Sequence, residues 1–414
     1  CVNLYPFEET VSAREVDWRE AIEKIDVGGP AMLRAAAKNH EHVVPVCRPD
    51  DYEPVLAELR SSGGVPEATR RVLALRAFST TAAYDAAVAR WLGGEDELPE
   101  TYVPAFDRVL ELVYGENPHQ RAAYYAERGA RTHLLSRVEQ RHGKSLSYNN
   151  LHDLSSARSL ADELDGPACV IVKHANPCGV AVAGTIGEAY EKALASDPVS
   201  AYGGVVVLSD AVTAPLGAAL AAQFVEVLLA PGYDGAALEA LTAKPATRIL
   251  EVAERRATPP GERHLRRVAG GLLVQDRDTG PDDRAAMKVV CGELGEEAWA
   301  DLLLAWTVVK HVTSNAIVIA RGGMTIGVGA GQMSRVDAVR IAVEKARELG
   351  HDVAGAALAS DAFFPFADGP LIALEAGVSA VVQPGGSKRD DEVIAAVRDA
   401  GAAMVFTGRR HFRH

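Results

Sequence analysis

Apolar positions recur at helical spacing from Trp18 to about Leu92, most clearly in EATRRVLALRAFSTTAAYDAAVARWL, and predict a mostly helical first region. Within it, AAAKNH leads into the short β-like run HVVPVC, and the opening CVNLYPF reads as a strand entering a loop. Further along the pattern changes. Short apolar runs (ACVIVKH, GGVVVLS, AGGLLVQ, AIVIA and SAVVQPGG) alternate with alanine-rich helical stretches, which predicts an α/β layered architecture. Between the two patterns, Gly93 to Pro104 gathers glycine, proline and acidic residues, the expected linker between domains.

The second region resembles itself. VKHANPCGVAVAG from Val172 matches VKHVTSNAIVIARGG from Val309, and each is followed by a Lys-Ala pair (Lys192-Ala193, Lys345-Ala346) and a Ser-Asp pair (Ser196-Asp197, Ser360-Asp361). The second copy reads as holding an insertion, MTIGVGAGQMSRVD. A duplicated α/β subdomain is the sharper reading, and chance similarity of short β-α segments the plainer one.

A chain of 414 residues is too long for one compact core, so two or three domains are expected. With 48% hydrophobic and 24% charged residues and no biased tract, it belongs among ordinary globular proteins. The net charge of −13 argues against a nucleic-acid binder, and an anionic substrate would need local cations set against that field. Cysteines at 1, 47, 169, 178 and 291 form no CxxC pair and read as reduced thiols of a cytoplasmic protein. No signal peptide is evident, and no apolar run reaches the ~20 residues of a membrane span. The chain opens at Cys1 with no methionine, so an upstream part is expected to be missing.

Several motifs invite chemistry. In IGVGAGQMSR, Gly327, Gly329 and Gly331 would let backbone N–H groups approach an anion at a helix start, with Arg335 beside it; a tight turn without ligand is the alternative. SDAFFPFADGP sets Asp361 ahead of three phenylalanines that either join a core or stack on a heterocyclic base. The cationic end, FTGRRHFRH, follows the apolar AAMVF and so reads as a strand end delivering Arg410 and His414 into a site, or as an idle tail. VKHANPCG leaves four readings open: a nucleophilic cysteine beside its base, half of a zinc site, a general-base histidine, or the end of a buried strand. Zinc fails on ligand count, because a deaminase-type site needs Pro-Cys-x-x-Cys and residue 181 is alanine. For adjacent Lys173 and His174 to serve one site they must lie at a strand end, where NPCG is expected to break the ladder.

Taken together, NLYPFEETV, EKIDVGGPAMLRAAAKNH, YGENPHQRAAYY, GKSLSYNNLHDL, VKHANPCGVA, SDPVSAYGG, FVEVLLAPGY, SNAIV, GVGAGQMSR, SDAFFPFADG, QPGGSKRD and FTGRRHFRH closely resemble, in order, the bifunctional purine-biosynthesis family AICAR transformylase / IMP cyclohydrolase. The resemblance implies formyl transfer from 10-formyltetrahydrofolate to AICAR, then closure of FAICAR to IMP. It implies an α/β fold: residues 1–95 as the C-terminal part of a methylglyoxal-synthase-like cyclohydrolase domain whose N-terminal part is absent, and 96–414 as a transformylase of two cytidine-deaminase-like subdomains, roughly 105–275 and 285–414. It also implies a homodimer with shared transformylase sites, a folate cosubstrate, no zinc, and a potassium ion near Ser314 and Asp361. The alternative is a non-catalytic nucleotide-binding or regulatory homologue.

Carried over by position, Lys173, His174, Asn315 and His414 match catalytic transformylase residues. Tyr114, Gly203, Glu226, Arg335, Phe363 or its neighbours, Asp368 and Arg410 match AICAR-binding positions, and Val113 stands where the family usually has arginine. The AICAR amine is a weak nucleophile, so attack requires proton removal as the tetrahedral centre forms; a histidine, with an ordinary pKa of about 6.5, suits that task. Lys173 would donate to the leaving N10, and Asn315 would hydrogen-bond the formyl oxygen. For ring closure, Tyr5, Asp26 and Lys38 match the catalytic residues, with Gly28 and Gly29 in a turn beside the nucleotide. Because the family's upstream phosphate-binding segments precede the position of Cys1, this polypeptide is expected not to convert FAICAR to IMP; robust conversion in a coupled absorbance assay would overturn that.

Overall fold

All five apolar runs of the second region form strands in the computed structural model, which describes residues 1–12, 16–94, 98–130, 132–254, 262–280 and 282–414. The first region gives α1 (Phe7–Val11), α2 (Trp18–Glu23), α3 (Gly28–Lys38), α4 (Tyr52–Ser62) and α5 (Glu67–Gly93), then the paired strands β1 (Phe106–Leu112) and β2 (Ala122–Glu127). There follow β3 (Glu139–His142), α6 (Tyr148–Ala161), β4 (Ala168–Lys173), β5 (Asn176–Val182), α7 (Ile186–Ser196), the short α8 (Pro198–Ala201), β6 (Gly204–Leu208), α9 (Ala214–Ala222), β7 (Val225–Ala230), α10 (Gly235–Thr242) and β8 (Arg248–Glu251). A hairpin, β9 (Arg263–Val268) and β10 (Gly271–Asp276), precedes β11 (Lys288–Cys291), α11 (Glu296–Val309), β12 (Ile317–Arg321), β13 (Met324–Gly329), α12 (Arg335–Glu348), β14 (Ala357–Ser360), α13 (Asp368–Glu375), β15 (Ala380–Gln383), α14 (Asp390–Asp399) and β16 (Ala403–Phe406). The linker expected over 93–104 contains residues 95–97, which lie outside the described residues, as does the expected boundary after residue 95.

By compactness the chain divides into two units. One comprises Cys1–Glu111, Ala123–His133 and Pro259–Asp276; the other comprises Leu112–Ala122, Leu134–Thr258 and Arg277–His414. In the first unit, Leu33 and Ala37 of α3 pack with Ala74 and Ala77 of α5, and buried Phe7 meets Tyr84 and Trp91 edge-on. The two strands expected at CVNLYPF and HVVPVC do not form. These segments share one backbone hydrogen bond, from Val2 N–H to the Val46 carbonyl at 2.9 Å. Pro6 and Pro45, which have no N–H, interrupt a longer ladder.

The second unit is built on a 12-stranded mixed sheet ordered β11-β16-β15-β14-β12-β13-β5-β4-β6-β7-β8-β3. Read outward from the β13-β5 junction, its two halves match strand for strand. Each has an antiparallel hairpin (β4-β5, β12-β13), an antiparallel neighbour (β6, β14), two parallel strands (β7-β8, β15-β16) and an antiparallel edge (β3, β11). Apart from short α8, the order α-β-β-α-β-α-β-α-β is common to both. Each half buries its own apolar cluster, one around Ile171, Val206 and Leu228, the other around Ile319, Leu358 and Val381.

This symmetry corrects the register of the internal repeat. Val172-Lys173-His174 ends strand β4, whereas Val309-Lys310-His311 ends helix α11, so the two VKH strings are not equivalent; Lys192-Ala193 and Lys345-Ala346, in α7 and α12, are. The supposed insertion is β13 and the start of α12, elements the first half also has.

The glycines of GVGAG also receive a different role. Gly327 and Gly329 lie inside β13, under α12, and a Cβ on either would collide with the carbonyl oxygen of Ala342 or Ala338. Gly179 of β5 stands in the same relation to Ala193 of α7. The spacing of Gly327 and Gly329 thus serves close helix-on-sheet packing, while Gly331, at φ +66°, turns the chain beyond the strand. Gly329→Ala should lower stability by about 1–3 kcal/mol, the usual range for overpacking, as read from the urea midpoint, while Gly232→Ala, where a Cβ would make only ordinary contact with Ala211, should change little. An unchanged midpoint for Gly329→Ala would refute the packing role.

Candidate functional site

Strand β4 ends at Lys173, which pairs with Asn176 at the start of β5, leaving His174 and Ala175 as a two-residue turn. Both have positive φ, +50° and +60°, the sign that two-residue hairpin turns of type I′ require and that Asn-Gly normally supplies. A histidine and an alanine held in this region store of order 1–3 kcal/mol each. Asp153 supports the turn by accepting from Ala175 N–H at 2.8 Å. The NPCG segment therefore does not break the ladder: Asn176 and Pro177 continue into β5, past a register shift opposite Ile171 and Val172. At the turn His174 is exposed, and the Lys173 ammonium donates to the carbonyls of Tyr202 (2.7 Å) and Gly203 (3.1 Å). Cys178 is not a nucleophile in waiting. Burial first, then the nearby Asp197 carboxylate, pushes its thiol up to about 12.

Because β5 runs antiparallel beside β13, the hairpin turn of the first half meets the loop that opens the second. Thr313 N–H donates to Asn176 Oδ1 at 2.9 Å. Next along the chain, Asn315 is fixed on every side: its Nδ2 donates to the Gln332 (2.9 Å) and Met333 (3.1 Å) carbonyls, and Arg335 donates to its Oδ1 at 2.8 Å. Arg335 also pairs with the fully buried Asp361 and donates to Ser360 Oγ. Thus Lys173, His174, Asn315, Ser314, Arg335 and Asp361, far apart in sequence, form one connected neighbourhood.

The expected monovalent cation does not fit these side chains. Ser314 Oγ–H donates to Asp361 Oδ2 at 2.5 Å, and Arg335 neutralises Oδ1. A carboxylate so compensated offers a cation little net attraction.

The C-terminal segment runs against the same loop. Ser314 N–H donates to the Arg413 carbonyl at 2.8 Å, and His411 N–H to the Asp361 carbonyl at 3.0 Å. Sequence reading singled out Arg410 and His414, which are exposed and flank the Phe412 ring, at 4.3 Å for the guanidinium and 5.6 Å between rings. It missed His411 and Arg413. His411, 1% exposed, faces Asp278 Oδ2 (2.5 Å) and Asp282 Oδ2 (2.9 Å), while Arg413 donates to the His311 carbonyl and to Ser156 Oγ. The inside-outside alternation of GRRHFRH was the available signal.

Other expected site residues are dispersed. Glu226 on β7 accepts from Arg248 at 2.7 Å, Phe363 is 38% exposed beside buried Phe364, Asp368 opens α13, and Tyr114 is exposed ahead of the Gly115–Gln120 turn. The second VKH string serves a buried ion pair, with Lys310 Nζ at 2.9 Å from Glu163; His311 lies within 3.4 Å of the same carboxylate without a hydrogen bond. In the first unit, Asp26 accepts from Tyr5 N–H (3.3 Å) and Gly29 N–H (2.6 Å), so Tyr5, Asp26, Gly28 and Gly29 gather at the start of α3. Lys38 does not join them: it ends that helix, about 15 Å along its axis.

The fold and site define an α/β protein with a polar site where two like halves of one sheet meet. A family model described as AICARFT/IMPCHase bienzyme matches residues 36–345. The chain is similar to proteins named bifunctional purine biosynthesis protein PurH: 51% identical over 429 residues to that of Cereibacter sphaeroides, 50% over 431 to that of Magnetococcus marinus, and 49% over 419 to that of Anoxybacillus flavithermus. Each comparison covers 100% of this chain and 80% or 81% of the relative. The chain belongs to the AICARFT/IMPCHase bienzyme family.

The tail clamp predicts a pH profile. Burial opposes charge on Asp278 and Asp282, but the bonds from His411 outweigh it and hold both below their ordinary value of 3.8. Burial likewise opposes charge on His411, and the two carboxylates overcome it, raising the imidazole above 6.5. The carboxylates' contribution to stability is present above 3.8 and is lost as pH falls through their depressed values. That of His411 is present below 6.5 and is lost as pH rises through its raised value. Thermal midpoints should therefore decline on the alkaline side of that window, and less steeply in His411→Gln. Equal alkaline slopes in variant and wild type would contradict the assignment.

Proposed function

We propose that the seam site performs the formyl transfer of this family, with His174 as general base and Lys173 as the group that protonates the leaving nitrogen. The chain is an AICAR transformylase and IMP cyclohydrolase by family, and formyl transfer brings a folate cosubstrate with it. The observation that carries the assignment of residues is the His174–Ala175 turn: two non-glycine residues at positive φ, supported by Asp153 and joined through Asn176 to the Asn315 loop. Strain of this kind persists where function requires the geometry.

In the step proposed, the AICAR amine nitrogen attacks the formyl carbon of 10-formyltetrahydrofolate while His174 takes the amine proton. The bond from that carbon to N10 then breaks, Lys173 delivers a proton to N10, and FAICAR and tetrahydrofolate leave. Both Asn315 donors are engaged with carbonyls, so a bond from Asn315 to the formyl oxygen requires one of them to be exchanged. Arg410, with Tyr114, Gly203, Glu226, Phe363 and Asp368, is assigned to AICAR, and His414 to the catalytic group beside Lys173 and His174. Arg335, neutralised by Asp361 and bonded to Asn315, acts on the substrate through Asn315.

The remaining architecture is proposed on the same basis. The shared element order of the two sheet halves, Glu139–Glu251 and Lys288–Phe406, supports two deaminase-like subdomains within the expected spans 105–275 and 285–414. Residues 1–95 are read as the C-terminal part of a cyclohydrolase domain, with Tyr5, Asp26, Gly28 and Gly29 beside the nucleotide and Lys38 set apart at the far end of α3. A homodimer and a cytoplasmic location complete the reading; among the described residues no helix is long and apolar enough to cross a membrane.

AICAR-dependent loss of 10-formyltetrahydrofolate is the direct assay. His174→Ala should reduce turnover by roughly two to four orders of magnitude, the scale of acid–base groups, and near-wild-type turnover in the purified variant would reject the base assignment.

A further inference from the structure

We propose that His411 is a positioning residue for formyl transfer, holding the extended C-terminal segment in the one register that presents Arg410, Phe412 and His414 on a single face. The proposal rests on the reading that Arg410 and His414 serve the seam site. From Arg409 to His414 the chain forms no regular strand, so no continuous ladder sets its register, and side chains must help to. Two inward residues do so. His411 is clamped by Asp278 and Asp282 at its two ring nitrogens, with the Trp306 ring 5.0 Å from its own and the indole N–H donating to the same Asp282 at 2.6 Å. Two residues on, Arg413 bonds the His311 carbonyl and Ser156.

An extended chain turns alternate residues to opposite sides. With 411 and 413 anchored inward, 410, 412 and 414 are all exposed, and the Phe412 ring sits beside both the Arg410 guanidinium and the His414 imidazole. A slip of one residue would exchange the two sets and bury the outward cations. The backbone is fixed at the same places, with His411 N–H on the Asp361 carbonyl and the Arg413 carbonyl on Ser314 N–H. Those partners adjoin Asn315 and pair with Arg335. Arg409 braces the clamp itself, reaching Asp278 at 3.3 Å and Asp282 at 3.2 Å.

The test is a double-mutant cycle on the full chain, reading kcat and KM for AICAR in formyl transfer. His411→Ala should lower kcat/KM by about 10- to 100-fold, the scale of a small misplacement of reacting groups, and adding His414→Ala should cause little further loss, because the terminal histidine is already displaced. Losses that multiply in the double variant, or wild-type kcat/KM in His411→Ala beside an impaired His414→Ala, overturn the proposal alone. Wild-type kinetics in both His414→Ala and Arg410→Ala overturn the reading of the tail beneath it. Should His411→Ala fail to fold, Asp278→Asn, which alters the more exposed clamp partner, is expected to show the same coupling to His414→Ala at several-fold size, and additive losses there count against the proposal equally.

Discussion

The site depends on how two strand edges are joined. Where β5 and β13 meet, the only residues in sheet register are Ala181 and Met324, yet unsatisfied backbone groups at a buried edge are costly. Two side-chain hydroxyls and one further backbone bond complete the pairing. Val180 N–H donates to Thr325 Oγ1 at 3.1 Å, the Ser196 hydroxyl donates to the Thr325 carbonyl at 2.6 Å, and Val182 N–H reaches the Gly323 carbonyl at 2.9 Å. Thr325 and Ser196 are buried. With the junction closed, two six-stranded halves act as one platform, and the turn after β4 lies against the loop before β12.

That junction explains why a strained turn is tolerated where it is. Through most of the second unit local preference and global fold agree: β-branched runs form the inner strands, and Ser147, Thr185 and Asp197 cap helices with their side chains. At His174–Ala175 they disagree, and the disagreement is stabilised from both halves, by Asp153 on one and Thr313 through Asn176 on the other. A hairpin supported from one side alone would be free to relax toward a commoner turn.

Much of the fold was legible because strand and helix periodicity are local properties. Apolar runs of the length of ACVIVKH and SAVVQPGG have few alternatives to a buried strand, and the long pattern after Pro66 has few alternatives to α5. What was not legible lies in relations between distant residues. Nothing in GVGAG distinguishes a backbone that approaches an anion from one that approaches a helix; the Ala338 and Ala342 carbonyls decide it. Nothing near His411 announces its partners, since Asp278 and Asp282 lie about 130 positions upstream. The repeat was visible while its register was not, because β-α units of similar composition match at several offsets. The candidate site was legible through resemblance, which supplied the residues, but not through pattern, which would have put the turn at NPCG rather than at His174.

The cations of the site separate into two kinds, and the separation bears on how an acidic chain of net charge −13 can serve an anionic substrate. Arg335, Arg409, His411, Lys310 and Arg248 are all matched to carboxylates: Asp361, the Asp278–Asp282 pair, Glu163 and Glu226. Paired charges of this kind orient a scaffold and contribute little field beyond it. Arg413, turned inward, binds a carbonyl and a hydroxyl; Lys173 and Arg410 are likewise held by neutral groups, two backbone carbonyls for the one and an aromatic face for the other. Neutral partners fix position without cancelling charge, so these two cations keep their field for an incoming anion. The compensated set builds the scaffold, and the uncompensated pair is what the proposed site would offer to a ligand.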